Sequence, residues 1–242
     1  GCDLTYYDND GGDCDERNDV SKHNKAGQMY PSRLKAGFSD SIIIPPKGRD
    51  ITGETFPIIM ISNVNLIGQG EELTIIDAEQ IHGVITMDDC ENNSISELTI
   101  TGGYDIYGGG MHLSYSNPTM THVTIVDNEA VDGGGMYLIS SNPTLTNVTI
   151  VNNTSEDGGG MYLWYHSNPT LTHVTIVNNT ASQSSAGVHL AQSDPMLTNT
   201  IIWNNTPESI IHGSGTPIIT YSDIQGGWEG EGNIDMNPLF TD

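Results

Sequence analysis

The chain has 242 residues, is 36% hydrophobic with 28 glycines, and carries a net charge of −24 from 31 acidic and 7 basic side chains. Every Lys and Arg lies between Arg17 and Arg49, so the rest of the chain has no cation to meet a phosphate; this excludes nucleic acid as a partner and disfavours anionic membranes and polyanionic polysaccharides. No run of about 18 apolar residues exists, which excludes insertion of a helix into a membrane.

Residues 1–40 form an acidic N-terminal segment. Its opening, Gly1-Cys2-Asp3, reads as an internal or processed start, with no signal peptide. Asp8, Asp10, Asp13 and Asp15 lie at near-alternate positions around Gly11-Gly12, a pattern of hard oxygen ligands that suits Ca²⁺. The spacing departs from an EF-hand loop and no closing Glu follows, so an acidic linker is the competing reading. Cys2 and Cys14 flank this loop at disulfide-compatible positions, which leaves Cys90 over. Residues 17–40 hold five of the seven basic side chains and are expected to include a capping helix.

From residue 41 onward the chain repeats. Residues 56–77 and 83–103 alternate apolar and polar side chains with irregular corners. Residues 108–130, 133–155 and 158–181 then overlay closely on the pattern GGGMYL…SNPTLTNVTIVNNT, and residues 186–206 form a looser copy. The Asn-Pro step recurs at Asn117, Asn142 and Asn168, with Asp194-Pro195 as a variant, so the period is 25 or 26 residues. Within a repeat, Met136 and Leu138 are predicted to point inward and Tyr137 outward; Leu145, Val148 and Ile150 point inward and Thr149 outward. Alternation at period two, with β-branched residues dominating, means short strands. Each strand pairs with its counterpart one turn away, at about 4.8 Å. Asn128, Asn153, Asn179 and Asn205 recur at one corner, where stacked amides can hydrogen-bond along the axis. Residues 208–227 make a last, shorter coil, and residues 228–242 are expected to cap it. The predicted fold is all-β, a right-handed parallel β-helix over residues 41–227 with about seven coils and end caps.

These units resemble the right-handed parallel β-helix repeats of secreted bacterial proteins, and the Gly-Gly-x-Ile and Phe-x-x-Asn units of polymorphic outer-membrane proteins. The ending IIWNNTPESI…PIITYSDIQGGWEGEGNIDMNPLF resembles the closing coils of such domains in large surface-sorted proteins. The resemblance covers roughly residues 40–242 and implies a pectin-lyase-like fold at the bacterial cell surface or outside the cell. It does not imply one activity, because that fold hosts lyases, hydrolases, adhesins and passive stalks.

A catalytic set is not recognisable. Lyases of the resembling fold use a basic side chain and cations, and the coils after Asp50 have no Lys or Arg. Hydrolases of that fold need close carboxylates with Gly-His-Gly and Arg-x-Lys motifs, which are absent; Asp88 and Asp89 would point to opposite faces of a strand or sit in a solvated turn. His122 and His173 share a column with Asn147 and Asn199, which reads as a tolerant exposed strand face.

Binding is better supported. Tyr137 and Tyr162 should stack outward, with His112 and His189 on either side and Trp164 and Tyr165 nearby. Outward rings on a flat sheet suit sugar rings; a purely structural ladder is the competing reading. Asp132 and Asp157, each just before a Gly triplet, form an acidic column one coil apart. The leading expectation is a non-catalytic extracellular module that binds polysaccharide or spaces neighbouring domains of a larger surface protein. A polysaccharide-degrading lyase or hydrolase is the alternative. Ca²⁺ is the one cofactor expected, and no organic cofactor is.

Overall fold

A computed structural model describes residues 40–43 and 55–240. The acidic loop with Asp8, Asp10, Asp13 and Asp15, the Cys2–Cys14 pairing and the N-terminal capping helix all lie outside the described residues.

Short strands wind into a solenoid of about seven turns, because each repeat supplies three extended runs separated by corners. Three parallel sheets run along the axis. One has seven strands, one per coil, from Ile58–Ile59 through Met136–Ile139 to Ile210–Ser214. A second, of twelve strands, includes Asp40–Ile43, Thr144–Val151 and Asp223–Ile224. A third, of four, includes Tyr104–Tyr107, Glu129–Asp132, Thr154–Ser155 and Thr180–Ala181. The register is one repeat throughout: Tyr137 pairs with His112 and Tyr162, and Thr149 with Thr124 and Thr175.

The core is a narrow column of stacked apolar side chains. Met111, Met136 and Met161 lie over one another, as do Leu113, Leu138 and Leu163, and Ile125, Ile150 and Ile176; all are buried. Dispersion between like side chains and exclusion of water act together here, each buried side chain contributing about 1.5–3 kcal/mol.

Buried corners are held by ladders. The Asn153 carbonyl oxygen accepts from the backbone N–H and the side-chain amide of Asn128, both at 3.0 Å. Its amide donates to the Ile125 carbonyl at 3.0 Å and to Asn179 Oδ1 at 3.0 Å. Asn179 repeats the pattern toward Asn205. The predicted Asn corner is therefore a continuous amide ladder that satisfies the turn backbone. A second ladder, not read from the sequence, runs through Ser116, Ser141, Ser167 and Ser193: each backbone N–H donates to the next hydroxyl at 3.0–3.2 Å. Cys90 heads this column, buried and free, with its N–H on Ser116 Oγ at 2.9 Å.

The Gly triplets close the coil where neighbouring turns come closest. Gly133 has φ of 68°, and a Cβ on Gly135 would lie 2.6 Å from the Gly160 carbonyl oxygen, so neither position accepts a side chain without strain.

The column of His122, Asn147, His173 and Asn199 is exposed, as predicted. All four also have φ of 52–55°, which bends the long strand at one point. Asn tolerates this left-handed conformation better than most residues. At the far end, Trp228 packs against the core and Ile234 bridges Asp223.

Candidate functional site

The outer face of the seven-stranded sheet carries one column of rings. His112, Tyr137, Tyr162 and His189 occupy successive coils at one register position. Tyr162 and His189 stack at 4.5 Å with planes 8° apart; Tyr137 and Tyr162 stack at 5.4 Å and 24°. His112 meets Tyr137 edge-on at 5.5 Å. These are the separations at which aromatic pairs attract.

Tyr137 does not stand in solvent as predicted. It is 3% exposed, because Tyr107 leans on it from the four-stranded sheet at 4.9 Å and Trp164 covers it edge-on at 6.3 Å. Tyr107 and Trp164 come from the coils on either side, so burial of Tyr137 is a product of stacking rather than of its own repeat. Tyr162, His112 and His189 are half-buried. Trp164, 43% exposed, ends the strand that carries Tyr162, and Tyr165, 50% exposed, follows it in the chain. Tyr165 sits at φ of 48° in the turn that ends the strand, and its ring lies 4.8 Å from that of His166.

Carboxylates line the column on its Gly side. Asp132 and Asp157 are bridged in parallel register, one coil apart. Burial raises the Asp132 carboxyl above its ordinary value, and the charges of Asp157 and Glu156 add to this. Burial likewise raises the phenols of Tyr137 and Tyr162, with Asp132 contributing to both. Burial lowers His112 and His189, opposed by Asp105 and Asp88 at the first and Asp157 at the second. Both imidazoles are thus neutral near pH 7.

Ser184 ties the end of the column together. Its hydroxyl donates to the Asp157 carboxylate and lies 2.9 Å from His189 Nδ1. A hydroxyl has one proton, so His189 Nδ1 must be the donor in that contact, which leaves Nε2 as the acceptor nitrogen. Ser184 lies in an irregular stretch between repeats, where the period gave no warning of it. Tyr107 was legible in principle, because it precedes Gly108 just as Asp132 precedes Gly133.

The family of right-handed β-helix regions matches residues 59–224. The chain belongs to this family. No curated protein and no solved structure matches it. Family membership carries the fold and its handedness, so the chemistry of this β-helix is argued from its own faces.

Two further histidines, His122 and His173, lie on the bend of the long sheet. His122 Nδ1 is 3.0 Å from the Glu97 carboxylate, and its Nε2 is 3.1 Å from Asn147 Nδ2. His173 Nε2 lies 3.4 Å from Asn199 Nδ2. Val126, Val151, Val177 and Trp203 lie in register, an apolar column on the long sheet. Asp88 ends its strand exposed and accepts from Ser114 Oγ at 2.8 Å, while Asp89 follows at φ of 52°. Among the described residues no group of three or more His, Cys, Asp or Glu is placed to hold a metal ion.

Proposed function

We propose that this β-helix is a non-catalytic module of the bacterial cell surface or its exterior, and that the face around Trp164 holds a polysaccharide. The observation that carries the reading is the pair of exposed rings Trp164 and Tyr165 next to half-buried Tyr162, backed by buried Tyr137 on a rigid parallel sheet. Ring faces pack on the apolar C–H faces of sugars, and a platform already locked by packing loses little freedom on binding. The nearby carboxylates supply acceptors for sugar hydroxyls. The same stacked coils also suit a rigid spacer between domains of a larger protein.

The test is affinity electrophoresis and calorimetry of the full chain against a glycan panel. Wild type binds at least one neutral or basic glycan; Trp164→Ala with Tyr165→Ala loses about tenfold or more in affinity while keeping the wild-type circular dichroism, with a lower thermal midpoint because Trp164 covers Tyr137. A wild-type chain that retains no glycan removes the binding role and leaves the spacer.

A polysaccharide-degrading activity is the second reading, favoured by one observation: a neutral His189 beside Ser184 and Asp157, near an Asp132 whose carboxyl holds its proton more tightly than usual. An imidazole lowered by burial can act as a base, and a carboxyl raised by burial is a better proton donor than an ordinary one. The raised phenols argue against a tyrosine base, and the absence of Lys and Arg between residues 55 and 240 argues against uronate substrates. New reducing ends or unsaturated ends released from a glycan, and lost in Asp132→Asn, would replace the first reading with this one.

A further inference from the structure

We infer that the glycan held on this face is a polymer of amino sugars with free ammonium groups, recognised by the carboxylate row that runs beside the rings. The inference rests on the reading that the face binds a glycan, and it names the class of that glycan.

The rings supply a plane for sugars but do not choose their charge. The choice falls to the groups around them, and those groups have one sign. Asp132 and Asp157 lie in register beside Tyr137 and Tyr162, with Glu156 adjacent. Asp105 and Asp88 lie close enough to His112 to act on it electrostatically. No residue between 55 and 240 is Lys or Arg, so none of these carboxylates has a basic side chain of the coils as its partner. The two histidines of the column are held neutral by burial and add no positive charge. Asp132 and Asp157 stand about one strand spacing apart, ~4.8 Å, and the charge of Asp157 disfavours that of Asp132.

A ligand that brings carboxylates to this row adds a third negative charge to a pair already in conflict. A neutral sugar leaves the conflict as it is. An ammonium group relieves it, and both half-buried carboxylates can accept its hydrogen bonds. A chain lying along the ring column, parallel to the solenoid axis, meets Asp132 and Asp157 on successive coils. The ligand class therefore follows from geometry and charge together: flat apolar sugar faces on Trp164 and Tyr165, and ammonium groups toward the aspartates.

Three oligosaccharides of equal length test this by calorimetry on the full chain: β-1,4-linked glucosamine, its fully N-acetylated counterpart, and oligogalacturonate. The glucosamine oligomer should bind about tenfold or more tightly than the N-acetylated one at low salt, and the advantage should shrink to within about threefold at high salt, where charges are screened. The uronate oligomer should not bind. Asp132→Asn with Asp157→Asn should abolish the advantage while leaving affinity for the N-acetylated oligomer within about twofold; asparagine still accepts from Ser184, so the fold is kept. Glu72→Gln with Glu229→Gln changes net charge equally at exposed sites elsewhere and should leave the advantage intact. Equal affinity for the amine and its acetylated form overturns the inference and spares the glycan-binding reading. So does an equal loss in the control pair, which would mean general attraction of a polycation to an acidic protein. Absence of binding to all three overturns the inference, and the reading itself falls only if no glycan of the wider panel is retained.

Discussion

The amide corner at Asn128, Asn153, Asn179 and Asn205 and the ring column at His112, Tyr137, Tyr162 and His189 are built by the same device, identical register from coil to coil. The corner points inward. Its side chains are buried and fully hydrogen-bonded, and each coil repeats the same residue. The ring column points outward. Its residues change from coil to coil, its rim is half-exposed, and its neighbours are carboxylates, of which Asp132 has a raised proton affinity. Repetition with identity makes a scaffold; repetition with variation leaves room for recognition. Tyr137 marks the boundary, an outward residue that its neighbours have turned into core.

The largest effect should come from breaking the amide ladder. Asn153→Ala strands the Asn128 N–H and takes the side-chain amide from the Ile125 carbonyl in a buried corner, while the Asn128 amide keeps the Ile100 and Val126 carbonyls. At about 1–3 kcal/mol for each unsatisfied buried group, the cost is on the order of 4 kcal/mol. Asn142→Ala is the matched control on an exposed ladder, where Asn142 Oδ1 accepts only the Asn168 N–H at 2.7 Å; it should cost about 1 kcal/mol or less. Urea unfolding followed by circular dichroism measures both, and similar costs would erase the distinction between corner and surface. Because each coil touches only its neighbours, a weakened central coil should also broaden the transition.

The next effect places Tyr137 on the scaffold side. Tyr137→Ala empties a site enclosed by Tyr107, Tyr162 and Trp164 and should cost about 3 kcal/mol. Tyr162→Ala, at a half-buried position, should cost roughly 1 kcal/mol. If the two substitutions cost the same, Tyr137 is not core and the boundary drawn here is misplaced.

Much of this division could be read from the amino-acid order. The Asn-Pro steps at Asn117, Asn142 and Asn168 fixed the period, and the period fixed which residues stack. The Met136/Leu138 alternation then told inside from outside. Two features were present in the sequence but not used. Leu145 and Val148 are three apart rather than two, which signals the bend at Asn147, and a Ser precedes the Asn-Pro step of each repeat, which signals the buried hydroxyl ladder. The burial of Tyr137 was of another kind. It depends on how far Tyr107 and Trp164 reach across from adjacent coils, and no single repeat contains that information. The contact of Ser184 with Asp157 and His189 was equally hidden, since it comes from residues outside the repeat.

The smallest effect concerns protons and separates the ring column from the rest of the acidic surface. Burial lowers His112 and His189 in the folded chain, whereas an unfolded histidine titrates near about 6.5. Between the lowered values and ~6.5 the unfolded chain binds more protons, so stability contributed by the neutral rings is present above that window and is lost as pH falls through it. Asp132 acts in the opposite sense. Its carboxyl is raised above the ordinary 3.8, so the folded chain binds its proton first and gains stability as pH falls through that second, more acidic window. A net charge of −24 adds a background of its own, since protonation anywhere relieves repulsion. The informative quantity is therefore a difference. His112→Gln with His189→Gln should flatten the fall in urea midpoint between about pH 7 and pH 5.5 relative to wild type, whereas His122→Gln, on the exposed bend beside Glu97, should not. Equal slopes in wild type and the double variant would mean that the rings pay no penalty for charging, and that the column is more open to water than its packing implies.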